Sequence, residues 1–364
     1  MAPLLSWTVD HDSNRTLIDD PHSSQGAFLN FQGLFKRATG TSTYSLTPQV
    51  GWQQYTNNVA QNSNNQSLQA AGTWIVGHSI FSGQALYSRD NTLNHEFLDS
   101  GNPTGSSLRK SKTAAFSWNY DQSSRDQLAV QLSYSDIRYE NEQFFSFFGE
   151  QFPYVQLYGY KYPSLAVTET HQWSSRTSLE FGSYASRLIS ESGLADSNSY
   201  GAHIGVHRDL TSRINLFFSL GLSRESRDNT VDNGYIGRFE LTRTDVMGAW
   251  RLYAERSVSA SGYGYLVTRN EAGLSFSRRL TPRWTTSFSV RGVRNDDVAG
   301  GFSGERHNYS RADTELAWQA TRTWHISAGT AMTRTQLIQN ADTQQGWSVW
   351  TSATWTPQPG LLSR

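Results

Sequence analysis

The chain is predicted to be all-β, a transmembrane antiparallel up-and-down β-barrel of about eighteen strands occupying residues 1–364 as one domain. Three observations carry that assignment. Short stretches throughout the sequence alternate apolar and polar residues, as in Ile214-Asn215-Leu216-Phe217-Phe218-Ser219-Leu220-Gly221-Leu222-Ser223. A strand reverses face at every residue, so Ile214, Leu216, Phe218, Leu220 and Leu222 share one greasy side, and Asn215, Ser219, Gly221 and Ser223 a wet one. No helical stretch is available to cover such a sheet. The connections, finally, alternate between brief and long.

The connections can be followed in order. Tight turns are expected at 36–41 (Lys36-Arg37-Ala38-Thr39-Gly40-Thr41), 121–125, 173–176, 208–213, 279–283 and 320–323, with weaker signals near Val76-Gly77-His78 and Thr242-Arg243-Thr244. These carry Ser or Thr with Arg or Lys. Nine longer connections, rich in Asp, Asn, Gly and Ser, are expected near 12–23, 57–64, 91–107, 141–152, 191–198, 226–234, 257–265, 297–306 and 337–345. Short turns on the periplasmic side and long loops outside are the rule for such barrels. Eight turns and nine loops join eighteen strands, leaving both ends periplasmic; sixteen is the fallback if the segment 234–256 is split wrongly.

Parity assigns the faces. Leu128, Val130, Leu132 and Tyr134 should meet lipid, with Gln131, Ser133 and Ser135 toward the lumen. Trp284, Phe288 and Val290 should be outside, with Ser287, Ser289 and Arg291 inside. Trp324, Ile326, Ala328 and Met332 should also be outside, opposed by His325, Ser327 and Gly329. The last strand places Trp347, Val349, Ala353 and Trp355 outward. Trp284, Trp324 and Trp355 lie at strand ends, where an aromatic girdle at the lipid interface belongs. The parity-chosen lumen residues are Arg291, Gln131, Asn215, Phe217, His203, His207 and Glu225.

Composition agrees. Aromatics make up 13% of the chain, with 12 Trp, 17 Tyr and 18 Phe, which suits belts at two interfaces. Mean hydropathy is negative, as expected when half of each strand faces water. Lys+Arg and Asp+Glu both number 31, so no net field recruits nucleic acid. There is no cysteine, which removes disulfides and thiolate metal sites. The beginning Met1-Ala2-Pro3-Leu4-Leu5-Ser6-Trp7 lacks a charged, apolar leader, and the expectation is that a signal peptide has been removed on the way to a bacterial outer membrane.

Catalytic signatures are missing: no phosphate-cradling loop, nucleophile elbow or His-Glu-x-x-His is present. No enzyme activity, cofactor or metal is therefore expected. His203 and His207 share a strand face but stand roughly 13 Å apart along it, too far for one ion. Asp10, Asp12, Asp19 and Asp20 cluster around the first loop and read as solvated, with calcium as the sharper alternative. Two loops are candidate gates. One carries Phe144, Phe145, Phe147 and Phe148, followed by Phe152 and Tyr154; the other, Ser259-Ala260-Ser261-Gly262-Tyr263-Gly264-Tyr265, offers Tyr263 and Tyr265 among glycines.

Several segments resemble proteobacterial outer-membrane β-barrel, porin-like proteins associated with exopolysaccharide synthesis and export. They are Asp10-His11-Asp12-Ser13-Asn14-Arg15-Thr16-Leu17, Arg89-Asp90-Asn91-Thr92-Leu93-Asn94-His95-Glu96, Arg256-Ser257-Val258-Ser259-Ala260-Ser261-Gly262-Tyr263-Gly264 and Gly273-Leu274-Ser275-Phe276-Ser277-Arg278-Arg279-Leu280. The resemblance implies an eighteen-stranded pore passing secreted polysaccharide, with outer-membrane lipid, periplasmic export or polysaccharide-synthesis proteins and the polysaccharide itself as partners. One departure is that many such barrels end on an aromatic residue, whereas this chain runs past Trp355 to Arg364. The alternatives are a diffusion porin, a sheath for a periplasmic electron-transfer cytochrome, a rim hydrolase built on Ser-His or Asp-His contacts, and a plugged scaffold or adhesin.

Overall fold

The computed structural model describes residues 2–357 apart from 15–22, 57–61, 93–107, 141–143, 148–149, 154–156, 192, 194–195, 228–229, 263, 298–306 and 338–342. In chain order the strands are β1 (Ala2–Asp12), β2 (Ser24–Ala38), β3 (Ser42–Tyr55), β4 (Ser63–Val76), β5 (Ser79–Asn91), β6 (Leu108–Asp121) and β7 (Asp126–Glu140). Then come β8 (Phe144–Phe147), β9 (Glu150–Pro153), β10 (Tyr160–Ser174), β11 (Thr177–Ser190), β12 (Ser197–Thr211) and β13 (Ile214–Arg227). The last seven are β14 (Thr230–Asp245), β15 (Gly248–Ala260), β16 (Leu266–Arg279), β17 (Trp284–Asp297), β18 (His307–Gln319), β19 (Trp324–Leu337) and β20 (Thr343–Trp355).

Eighteen of these form one closed antiparallel sheet, as the alternation predicts. Each strand pairs with its successor; β7 pairs with β10, and β20 closes the barrel on β1 from Leu5↔Trp355 to Asp12↔Ser348. Closure removes the exposed edges that an open sheet would offer to other chains. β8 and β9 pair only with each other, Phe144 opposite Pro153, so the segment read as a plain loop at 141–152 carries a hairpin of its own.

The face assignments hold. Along β13, Leu220 and Leu222 are 54% and 74% exposed on the outside, while Ser219 and Ser223 are 7% and 6% exposed inside. Leu132, Tyr134, Phe288, Val290, Met332, Trp347 and Val349 are likewise exposed large apolar side chains on the outward parity. Side chains exposed on the outside and apolar in every strand mean that lipid, not water, solvates this surface. Trp284 and Trp324 are exposed beside their turns, and Trp355 pairs with Trp324. Trp284 also stacks on Trp318 at 5.7 Å.

Two boundaries differ from the sequence reading. The turn near Thr242–Thr244 lies instead at Val246 and Met247, between the end of β14 and the start of β15. Apolar residues at a turn tip hide it from a search for polar turn chemistry; Asp245 makes the turn by accepting the Val246 N–H on Oδ1 at 2.8 Å. The long connection expected at 226–234 shrinks to residues 228–229, because β13 and β14 remain paired up to Arg227↔Thr230.

Candidate functional site: the lumen wall and its mouth

The lumen-facing side chains divide the barrel into two unlike walls. From β19 round through β1 to β10, the luminal residues about three to eight positions above the turns are neutral apart from Asp10 on β1: Ser327, Gln32, Gln49, Gln84, Gln131 and Ser133 are typical. From β11 to β18 the same height carries a continuous ribbon of charge. It begins at Glu180 on β11, whose Oε1 accepts from His203 Nε2 at 3.0 Å and whose Oε2 accepts from His207 Nε2 at 2.8 Å. The His207 ring stacks on Phe217 at 4.2 Å, and the Arg238 guanidinium lies 5.7 Å over that same ring.

Arg238 then donates to Glu240 at 2.6 Å, and Arg251 donates to the same carboxylate oxygen at 2.9 Å. Arg251 sits 4.6 Å over the Tyr253 ring, and the Tyr253 hydroxyl donates to Glu271 Oε1 at 2.6 Å. Glu271 also holds Arg269 at 3.0 Å and Arg291 at 2.9 Å. Next along the wall, Ser289 donates to Asp313 at 2.7 Å. Such pairing is what keeps so many charges on a half-buried wall: each guanidinium is matched by a carboxylate or a ring face rather than left desolvated.

In the strand register the parity-chosen residues take the following places. Arg291, Phe217, His203 and His207 belong to the ribbon; Gln131 lies on the neutral wall, opposite Ser117 and Ala166. Asn215 lies at the turn end of β13, opposite Thr242. Glu225 stands near the loop end, 2% exposed and opposite Ser199. The two histidines share a partner. Spacing along one strand separates them, yet both reach sideways to the single carboxylate of Glu180 on the neighbouring strand, which intrastrand distance does not reveal. Among the described residues no group of three His, Asp or Glu is arranged to hold a metal ion.

At the loop end the connection between β15 and β16 folds into the mouth. Leu266 is 2% exposed and packs with Ile137, Tyr160 and Leu188, which face the lumen from β7, β10 and β11 on the far side of that connection. The Tyr158 N–H donates to the Gly262 carbonyl at 2.7 Å, tying the connection to the segment that enters β10. Positive φ at Gly264 (81°) lets the chain turn back there, a conformation open to glycine and costly for other residues. Tyr265, a gate candidate on this loop, is 4% exposed, with the Arg227 guanidinium 6.0 Å from its centroid. Tyr263 and Phe148 lie outside the described residues, as do Asp19 and Asp20; Phe144, Phe145 and Phe147 belong to the β8–β9 hairpin. Asp12 caps the start of the first loop by accepting the Asn14 N–H at 3.0 Å.

At the turn rim, Asp126 joins Ser123 at 2.5 Å and His171 at 2.7 Å. The serine bonds the carboxylate rather than the imidazole, so no base sits on the hydroxyl as nucleophilic catalysis requires.

No family profile matches the sequence, and no curated protein matches it. Solved structures do. The copper transporter OprC superposes with a TM-score of 0.50 at 10% identity, covering 98% of this chain and 80% of that one. The chain is an outer-membrane β-barrel. The ferric-catecholate import receptor Fiu from E. coli K12 gives a TM-score of 0.49 at 8% identity (97% and 81% covered), and the siderophore receptor PirA from Acinetobacter baumannii 0.47 at 8% (98% and 80%). At such identities the likeness is one of fold. It also corrects the polysaccharide-export expectation: the barrel that superposes at a TM-score of 0.50 is a copper transporter, not an export channel.

Proposed function

We propose that the barrel is an outer-membrane uptake transporter that passes a small, polar, charged solute from the loop side to the turn side along one wall of its lumen. The carrying observation is the one-sided ribbon from Glu180 to Asp313, facing a neutral wall of amides and hydroxyls. Paired charges at close quarters offer a solute exchangeable partners of both signs, and passage needs many weak sites rather than one strong one. The inward-folded β15–β16 connection adds a constriction above the ribbon that favours compact cargo. The transport reading is in keeping with the copper transporter of the same fold.

The test is reversal potential in planar bilayers under a salt gradient, for the wild type and Glu271→Gln. Removing the carboxylate that holds Arg269 and Arg291 leaves two guanidinium groups facing the lumen without it, so permeation should shift toward anions. An unchanged reversal potential would show that ions do not travel along this wall.

A further inference from the structure

We propose that the outward face of β14–β18 binds one phosphorylated, acylated lipid of the loop-side leaflet, its phosphate on Arg256 and Arg294 and an acyl chain in the groove beneath them. The groove has a volume of about 650 Å³. Two adjacent rows of the sheet build it. Ala254, Ala272 and Gly292 stand side by side in register on the outward face, and these small residues form a floor beside the larger Leu220 and Phe239. The next outward row toward the loops reads Arg256, Asn270, Arg294. A hydrocarbon-shaped channel thus ends directly under a polar row rich in guanidinium.

The height of that row fits a headgroup. Arg294 is the tenth residue after the start of β17. Ten residues of strand cover about 33 Å, and a tilt near 40° reduces this to about 25 Å, the height of the apolar band of such barrels. The same offset carries an outward arginine on four other rising strands: Arg89 on β5, Arg187 on β11, Arg224 on β13 and Arg334 on β19. An arginine repeated at one level on the lipid side forms a ring where hydrocarbon gives way to headgroups. Phosphate matches it, because guanidinium binds phosphate oxygens in pairs.

Arg256 is held for this task. Its Nε donates to the Tyr235 carbonyl at 3.0 Å, Nη1 donates to Asn270 at 2.9 Å, and its plane lies 4.2 Å over the Tyr235 ring, which leaves further N–H donors of the fork. Arg294 contacts Asp296 at 3.2 Å. The occupant is a lipid rather than free phosphate because the apolar groove is continuous with the arginine row and opens to the hydrocarbon.

The experiment titrates the detergent-solubilised barrel with diphosphoryl lipid A and counts retained lipid by native mass spectrometry, with folding checked by heat-dependent gel mobility. The wild type should retain lipid A and not phosphatidylcholine. Arg256→Gln with Arg294→Gln should cut retention by about tenfold or more. Gly292→Phe should do the same without altering charge, since a Cβ at Gly292 meets nothing within 4 Å and the ring would occupy the groove. The turn-end pair Arg283→Gln with Arg322→Gln should retain lipid as the wild type does. Retention undisturbed by Gly292→Phe overturns the site, as does equal loss in the turn-end variant. Displacement of the lipid by millimolar inorganic phosphate would show a plain anion site and overturn it too. Should the double arginine variant not fold, Gly292→Phe alone decides.

Discussion

Leu220 and Gln131 show how one residue's direction sets its solvent. Leu220 points outward six residues above its turn, near the middle of the apolar band, and Gln131 points into water from the neutral wall. Leu220→Arg should therefore cost about 2–4 kcal/mol, and Gln131→Arg within about 0.5 kcal/mol, in denaturant unfolding from lipid vesicles. Equal costs would refute the face assignment. Ser219, Leu220's neighbour, would be a poor comparator: it is 7% exposed and packed beside Phe217 and Gly205, so a large side chain there meets crowding that alternation alone does not announce. Glu180 is the residue-scale surprise. It stands in a strand that reads as ordinary alternation, and its two histidines come from the next strand, so its role follows only from register.

Among the elements, the turns explain why Ser, Thr and Arg recur at their tips. Thr211 Oγ1 accepts the N–H groups of Arg213 and Ile214, Thr281 those of Arg283 and Trp284, and Thr321 those of Thr323 and Trp324. Ser123 does the same for Arg125 and Asp126. A hydroxyl that satisfies two backbone donors closes a tight turn locally, which makes these turns readable from sequence. The β14–β15 turn uses a carboxylate instead. Accepting the Val246 N–H, with Arg213 and Arg243 nearby, holds the Asp245 carboxyl below the ordinary carboxylate range. A depressed folded value means that its contribution is present above the ordinary value near 3.9 and fades as pH falls through the lower folded value. The Val246 amide resonance should accordingly shift on acidification below about pH 4, and Asp245→Asn should abolish that titration. A shift that persists in the variant would assign it to another group.

At the scale of the whole molecule, the barrel combines a one-sided charged wall with a mouth narrowed by its own β15–β16 connection. Removing residues 261–264 takes away the Gly262 contact to Tyr158 and the turn at Gly264 while sparing every barrel strand. Single-channel conductance should rise by about twofold or more, as expected of a loop that narrows a water-filled lumen. Conductance equal to that of the wild type would place the narrowest point at the ribbon instead.

Much of this barrel follows from local rules. Period-two alternation sets which side chains face outward, Ser/Thr turn chemistry sets most turns, and counting both yields eighteen strands. These are properties of neighbours along the chain, so the chain displays them. The Glu180–His203–His207 cluster, the ribbon through Glu271, the row of Arg256 and Arg294 above a groove, and the packing of Leu266 on Leu188 are different in kind. Each depends on which residues on separate strands reach the same height, and that is decided by register and closure, where a shift of two residues would preserve every face and undo every one of these contacts.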